Sequence, residues 1–170
     1  MLGSDLAGGP LLWRQRDMLG LEHELRSGDQ PVGTLRWDWA TRIASGEAGG
    51  HRWTFRTRGV LHPEVGIGID GQEDAAIFHR RVMGRGGTLE LPGLGLLTYA
   101  PAGLLSREWE WSDASGTLVR LANVSGLLHR SGRVDVVERA RSLKELPLLV
   151  TLAWYVKMQT DMDNVGSGSG

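Results

Sequence analysis

The sequence predicts a mainly β protein, an antiparallel closed barrel of about 12 strands around a central hydrophobic C-terminal helix. Three observations carry this expectation. From residue 19 to residue 138, apolar and polar residues alternate in short runs, the period of strands with one buried face. Gly, Pro and Asp-Gly or Ser-Gly turn signals separate the runs. Finally, Leu146-Pro-Leu-Leu-Val-Thr-Leu-Ala-Trp-Tyr-Val156 is apolar in every direction when wound as a helix, and such a helix must be buried on all sides. A sheet that closes around the helix satisfies every helix face and leaves no open edge.

Residues 1–18 have little pattern. Leu11, Leu12 and Trp13 could pack on the body, but Gly8-Gly9-Pro10 argues for a loose N-terminal arm. The barrel domain is expected over residues 19–160. Leu19, Leu21, His23 and Leu25 share one face, with Glu22, Glu24 and Arg26 on the other. After a turn at Ser27–Pro31, Gly33, Leu35, Trp37 and Trp39 alternate with Thr34, Arg36 and Asp38. A short segment near Thr41–Ala44 leads to a Gly-rich turn at Gly46–Gly50, and then Trp53 and Phe55 alternate with Arg52, Thr54 and Arg56. Val65, Ile67 and Ile69 form a strand closed by the hairpin signal Asp70-Gly71. Further strands are expected at Ala75–Val82, Thr88–Leu91, Leu94–Ala100, Leu105–Trp111, Thr117–Ala122, Ser125–Arg130 and Arg133–Glu138. Gly-Thr-Leu recurs at Gly33, Gly87 and Gly116, as a duplicated half-barrel or a shared hairpin grammar would leave it.

The helix has two possible starts. Ser142-Leu-Lys-Glu145 has the spacing of a capping box, which would leave Pro147 inside the helix and kink it. The favoured reading makes the first turn separate and begins the main helix near Pro147, where proline is well placed. Thr151 can return its hydroxyl to a carbonyl one turn back. Charged flanks, with Lys144 and Glu145 before and Lys157 and Asp161 after, bound an apolar run shorter than the roughly 20 residues that span a bilayer. No transmembrane segment is therefore expected. Residues 161–170 read as a flexible tail ending in Gly-Ser-Gly.

Composition narrows the function. A chain of 170 residues suits one domain. The absence of cysteine excludes disulfides, thiolate metal sites and cysteine nucleophiles, and fits a reducing compartment. A net charge of −1 supplies no global field to recruit nucleic acid or an anionic membrane. Met1–Pro10 lacks the pattern of a signal peptide, so a cytoplasmic location is expected.

Strand count, the Trp-x-aromatic strands at Trp53/Phe55 and Trp109/Trp111, and the stretch Leu146–Val156 together resemble the tubby C-terminal-like superfamily, which includes the LURP-one-related proteins and the phospholipid scramblases. The resemblance covers roughly residues 19–160. It implies a barrel of 12 strands with a hydrophobic helix threaded through it. No lysine/arginine pair matches the family's phosphoinositide site, and no segment matches the scramblase calcium segment.

The remaining motifs are read from their chemistry. Gly66-Ile-Gly-Ile-Asp-Gly71 has the spacing of a dinucleotide loop, but its glycines lie inside an alternating strand and no helix opens at the third. They are expected to let the backbone lie close to a bulky neighbour, such as a tryptophan. His23 lies on an apolar face and reads as a satisfied core histidine, and no histidine spacing suits a metal. Neither a cofactor nor a metal is expected. Trp53, Trp109, Trp111, Leu149, Leu152 and Trp154 are the expected structural core. One patch remains: Arg52, Arg56 and Arg58 share the face opposite Trp53 and Phe55, with Arg80, Arg81 and Arg85 near the next turns. This row is either an anion site or a set of ion pairs with Glu22, Glu24, Glu108 and Glu110. The expectation is a non-catalytic binding or scaffold domain for anionic phospholipid or an acidic protein partner. The alternative is a small-ligand carrier or enzyme with its site at the barrel mouth.

Overall fold

Twelve antiparallel strands close into one barrel, in a computed structural model that describes residues 6, 9–82, 85–124 and 130–166. The first six are β1 (Leu11–Gln15), β2 (Glu22–Ser27), β3 (Gln30–Asp38), β4 (Ile43–Ala48), β5 (His51–Arg58) and β6 (Glu64–Ile69). The second six are β7 (Gln72–Arg80), β8 (Gly87–Leu91), β9 (Gly95–Pro101), β10 (Glu108–Asp113), β11 (Gly116–Val124) and β12 (Ser131–Val136). Each strand pairs with its neighbour in sequence, and β1 closes the ring on β12, with Leu11 opposite Val134. A 3₁₀ turn at Glu138–Ala140 then leads into the helix α1 (Leu146–Gly166).

Because every connection joins adjacent antiparallel strands, the connections alternate between two ends of the barrel. At the base, where α1 enters, lie the turns after β2, β4, β6, β8 and β10. At the crown, where α1 leaves, lie the loops after β1, β3, β5, β7, β9 and β11.

The membership of the ring differs from expectation. Leu11–Gln15, expected within a loose arm, is β1. Its alternation is only five residues long, too short to read beside three glycine or proline signals. Leu11 and Trp13 are buried nonetheless, and so is Leu6. The stretch from Ile43 to Ala48 is one strand running through Gly46, not a segment followed by a turn. A Cβ at Gly46 would lie 2.8 Å from Thr151 Cγ2 on the helix, so here glycine marks close approach rather than a bend. The strand expected at Ser125–Arg130 lies outside the described residues, apart from Arg130.

Every residue of helix α1 from Leu146 through Met158 is buried, with Leu149, Val150, Leu152 and Trp154 fully enclosed. Pro147 sits in its first turn, and the first helical bond runs from Leu149 N–H to Glu145 C=O. Glu145, not Ser142, is therefore the residue before the helix. Thr151 returns its hydroxyl to the Pro147 carbonyl at 2.8 Å. Two carbonyls one turn apart, Leu149 and Ala153, accept bonds from Trp111 Nε1 at 2.9 Å and Tyr99 Oη at 3.0 Å. Trp53, Trp109 and Trp111 are buried around it. Gly132 of β12 faces the Trp154 ring so closely that a Cβ would overlap it.

Lys157, near the helix end, is buried, held by Asp161 at 2.6 Å and lying 5.7 Å from the Trp154 ring centroid. Residues 161–166, expected in a flexible tail, continue the helix. No helix among the described residues is long and apolar enough to cross a membrane.

Candidate functional site

The glycine-rich stretch is strand and turn. Gly66 and Gly68 belong to β6, and Asp70 and Gly71 both have positive φ (47° and 89°) in the hairpin to β7. The bulky neighbours of the two strand glycines are not tryptophans. A Cβ at Gly68 would strike Thr54 Oγ1, and one at Gly66 would lie 2.6 Å from Asp74 Oδ1. Asp70 is occupied at the turn: its carboxylate accepts from Arg52 N–H at 2.9 Å and meets His51 Nδ1 at 3.0 Å. The His51 bond, with the Arg52 N–H, holds the Asp70 carboxyl below its usual pKa.

The arginine row points outward, but it is not one cationic site. Arg52 meets Glu47 at 3.3 Å. Arg58 is bridged by Glu64 at 2.7 Å and Asp74 at 3.0 Å, and these bonds raise its pKa. Arg80 meets Asp163 of α1 at 3.1 Å. The acids expected as partners are engaged elsewhere: Glu22 with Arg36, Glu24 with Arg16 and Arg26, and Glu108 and Glu110 with Arg120. Sequence spacing identifies the outward face of a strand but not its neighbours, so it placed the pairing on the wrong acids. Arg56 and Arg81 alone of the five residues in the expected site have no carboxylate partner among the described residues.

Taking every cation in turn reveals a different grouping. Among the described residues, Arg14, Arg42, Arg56, Arg81, Arg85, Arg107 and Arg130 are the cations that form no ion pair. All seven lie in the crown half. Arg42, Arg81, Arg85 and Arg107 are in its loops, Arg14 and Arg56 are near the crown ends of β1 and β5, and Arg130 precedes β12. At the base, by contrast, Arg139 meets Asp113 at 2.8 Å, Arg141 meets Glu138 at 3.3 Å and Lys144 meets Glu145 at 3.7 Å. Among the described residues five acids form no ion pair: Asp29, Glu73 and Glu90 in the base half, and Asp17 and Asp38 at the crown, whose carboxylates accept backbone N–H groups. A net charge of −1 therefore conceals a polar molecule, cationic at the crown and acidic at the base.

The crown is also where large apolar side chains are exposed. Nine of the ten such residues among the described residues lie there; Leu96 is the exception. Local hydrogen bonds explain why alternation misplaced several of them. The β3 pattern puts Trp39 on the inward face, but Asp38 ends the strand by accepting the Ala40 N–H at 2.9 Å, and Trp39 is left 62% exposed. Leu19 shares a face with His23 by period, yet the Asp17 carboxylate accepts the N–H groups of Leu21 and Glu22, both at 2.9 Å, and loops the chain outward. Burial pushes the Asp17 carboxyl up, but these N–H bonds outweigh it and hold its pKa below the usual value. Ser106 accepts the Glu108 N–H at 3.0 Å and starts β10 there, leaving Leu105 outside the strand and 98% exposed. Val82, expected in a strand, lies beyond the end of β7 and is exposed.

Two depressions on the outer wall, about 570 and 360 Å³, share Arg52, Trp53 and Thr54. Their charged linings are mixed: Arg52 and Arg36 sit among Glu47, Glu22, Asp70 and Glu73, and most of these already pair with one another. The barrel interior is occupied by α1. Its side chains Lys157 and Met158, both buried, carry that filling to the crown.

The site that the geometry favours is therefore the crown rim, where unpaired arginines alternate with apolar loop tips. No family model, curated protein or solved structure matches this chain.

Proposed function

We propose that this protein is a non-catalytic binding or scaffold domain that engages an anionic partner, phospholipid or acidic protein, through the crown of the barrel. The observation that carries the reading is the segregation of unpaired charge: among the described residues, all seven arginines that form no ion pair lie in one half of the molecule. An arginine without a carboxylate keeps its hydrogen-bonding fork for an external phosphate or carboxylate; of the seven, Arg130 alone lends one N–H to a side chain, Met158 Sδ at 3.7 Å, among the described residues. The filled interior argues the same way, because a barrel packed with its own helix has no room inside for a substrate. The closed ring of twelve strands with a buried C-terminal helix supports a tubby-like reading of the architecture, although that likeness bears on fold and not on ligand.

The test is retention on an immobilised polyanion such as heparin. The parent protein should be retained at low salt and released as salt rises, since the Debye length falls from about 10 Å at 0.1 M to about 3 Å at 1 M. Replacing Arg42, Arg81 and Arg107 together by Ala should weaken retention by roughly a hundredfold, at about 1 kcal/mol for each cation at an anionic surface. Arg52→Ala, which removes a paired wall arginine, should leave it unchanged. An unretained parent, or a triple variant released at the parent's salt concentration, would overturn the proposal.

A further inference from the structure

We infer that the crown docks end-on against an anionic lipid bilayer, with apolar pairs at its loop tips entering the headgroup layer and the intervening arginines meeting lipid phosphates. This deepens the anion-binding reading and rests on it.

The apolar side chains are arranged as separate points around a ring, not as one groove. Met18 and Leu19 project from the loop after β1, Val60 and Leu61 from the loop after β5, and Leu104 and Leu105 from the loop after β9. These three loops follow alternate odd strands, so the three pairs are spread around the circumference. Trp39 and Val82 occupy the tips between them. A protein interface concentrates its apolar residues in a contiguous, close-packed centre with a polar rim. A bilayer surface needs no such continuity, because each tip can sink independently into the same fluid layer.

The polar residues on the ring fit that layer as well. Arg42 shares a loop with Trp39, Arg81 and Arg85 flank Val82, and Arg107 follows Leu105 by two residues. These three tips, at Trp39, Val82 and Leu105, thus pair an apolar residue with a long cationic side chain that can keep its stem among apolar groups and its guanidinium at the phosphate level. Tryptophan is itself favoured at that level. The crown's acids do not oppose this. Asp17 and Asp38 spend their carboxylates on backbone N–H groups, Glu64 and Glu108 sit with arginines, and Asp161 holds Lys157.

The wall cannot take the place of the crown. Its outward positions carry ion pairs such as Arg36–Glu22 and Arg120–Glu110, which a hydrocarbon environment would penalise. Among the described residues, the three acids with neither an ion pair nor a backbone N–H bond, Asp29, Glu73 and Glu90, lie in the base half, where an end-on orientation would keep them away from the anionic surface.

Co-sedimentation with vesicles tests the inference on the whole chain. The parent should partition onto phosphatidylserine/phosphatidylcholine vesicles and not onto phosphatidylcholine alone. A variant with Val60, Leu61, Leu104 and Leu105 replaced by Ser should lose about a hundredfold in partitioning, while keeping its melting temperature and its release salt on the polyanion. Brominated acyl chains should quench the parent's fluorescence, and Trp39→Phe should remove most of that quenching. Polyanion retention without vesicle binding would overturn the bilayer as partner while leaving the anion-binding reading intact. Loss of both would remove the two together. Equal vesicle binding by the serine variant would overturn insertion of the tips. A parent dimer that the serine variant converts to monomer, with no vesicle binding by either, would assign the crown to a second copy of the chain and overturn the inference.

Discussion

The two ends of the barrel are built from different materials. The base is closed by short turns: Gly28-Asp29, Gly49-Gly50, Asp70-Gly71, the three residues 92–94, and Ala114-Ser115. It adds the segment that feeds α1, whose cations are all paired. The crown loops that can be followed run from four to six residues, from 39–42 to 16–21, and they expose apolar tips and unpaired arginines. Tight turns with satisfied charges hold a fold in register. Longer loops that expose apolar groups and leave cations unsatisfied contribute little to folding, and that is the usual mark of a surface that meets something else. Net charge is a poor guide to function when charge is segregated along one axis.

The largest effect should come from removing the element that joins the two ends. A chain ending at Arg141 lacks α1 and leaves the inward faces of twelve strands around a void. It should show no cooperative thermal transition, because burial of the helix side chains from Leu146 to Val156 is worth on the order of 10–20 kcal/mol gross against an extended chain. A truncated protein that still melts sharply near the parent's midpoint would show that the sheet stands without its helix.

A smaller effect should separate the ends directly. Gly71 at the base has φ +89° and nothing within 4 Å of where a Cβ would lie. Gly71→Val should therefore destabilise through backbone strain alone, by about 1–3 kcal/mol. Leu104→Ser with Leu105→Ser at the crown should change stability by less than about 0.5 kcal/mol, since both side chains are already in water. Chemical denaturation of the two variants checks the contrast. Equal losses would mean that the crown loops are structural after all.

The smallest effect concerns pH. His23 lies under the crown, buried, with Nδ1 accepting from Trp154 Nε1 at 3.0 Å and Nε2 facing the Gly20 carbonyl at 3.2 Å. That arrangement uses the neutral ring with its proton on Nε2. Burial lowers the His23 pKa; the Gly20 carbonyl and the Asp17 carboxylate oppose this and Arg130 adds to it. The unfolded chain therefore takes up this proton first. Stability from His23 is complete above the unfolded value of about 6.5 and falls as pH drops through it, by at most about 1.4 kcal/mol per pH unit. His23→Gln should flatten the stability profile between about pH 7 and 5. An unchanged slope would show that other groups carry the dependence there.

Much of the architecture was legible in the residues. Strand period, turn signals and the all-apolar stretch led to a closed barrel around a C-terminal helix, and Asp70-Gly71 was readable as a hairpin. Alternation was less dependable at the ends of strands. It carried Trp39, Val82 and Leu105 into strands that stop one to three residues short of them. It also passed over β1, whose five residues are held by neighbours on both sides, β12 and β2. Hydropathy records what a residue could bury, whereas a strand ends where a side chain such as Asp38 or Ser106 captures the next N–H.

That α1 must be enclosed can be read from the residues alone, because no face of Leu146–Val156 tolerates water, and so can the presence of strands enough to enclose it. Which charges cancel is set by the folded ring. Arg52, Arg58 and Arg80 look as free in the sequence as Arg42, Arg81 and Arg107, but the first three stand beside Glu47, Glu64 with Asp74, and Asp163, which are brought to them by strand register or by the exit of the helix. A pattern along one strand gives the direction in which a side chain points. Whether an opposite charge waits there depends on strand pairing, and pairing is a property of the closed ring.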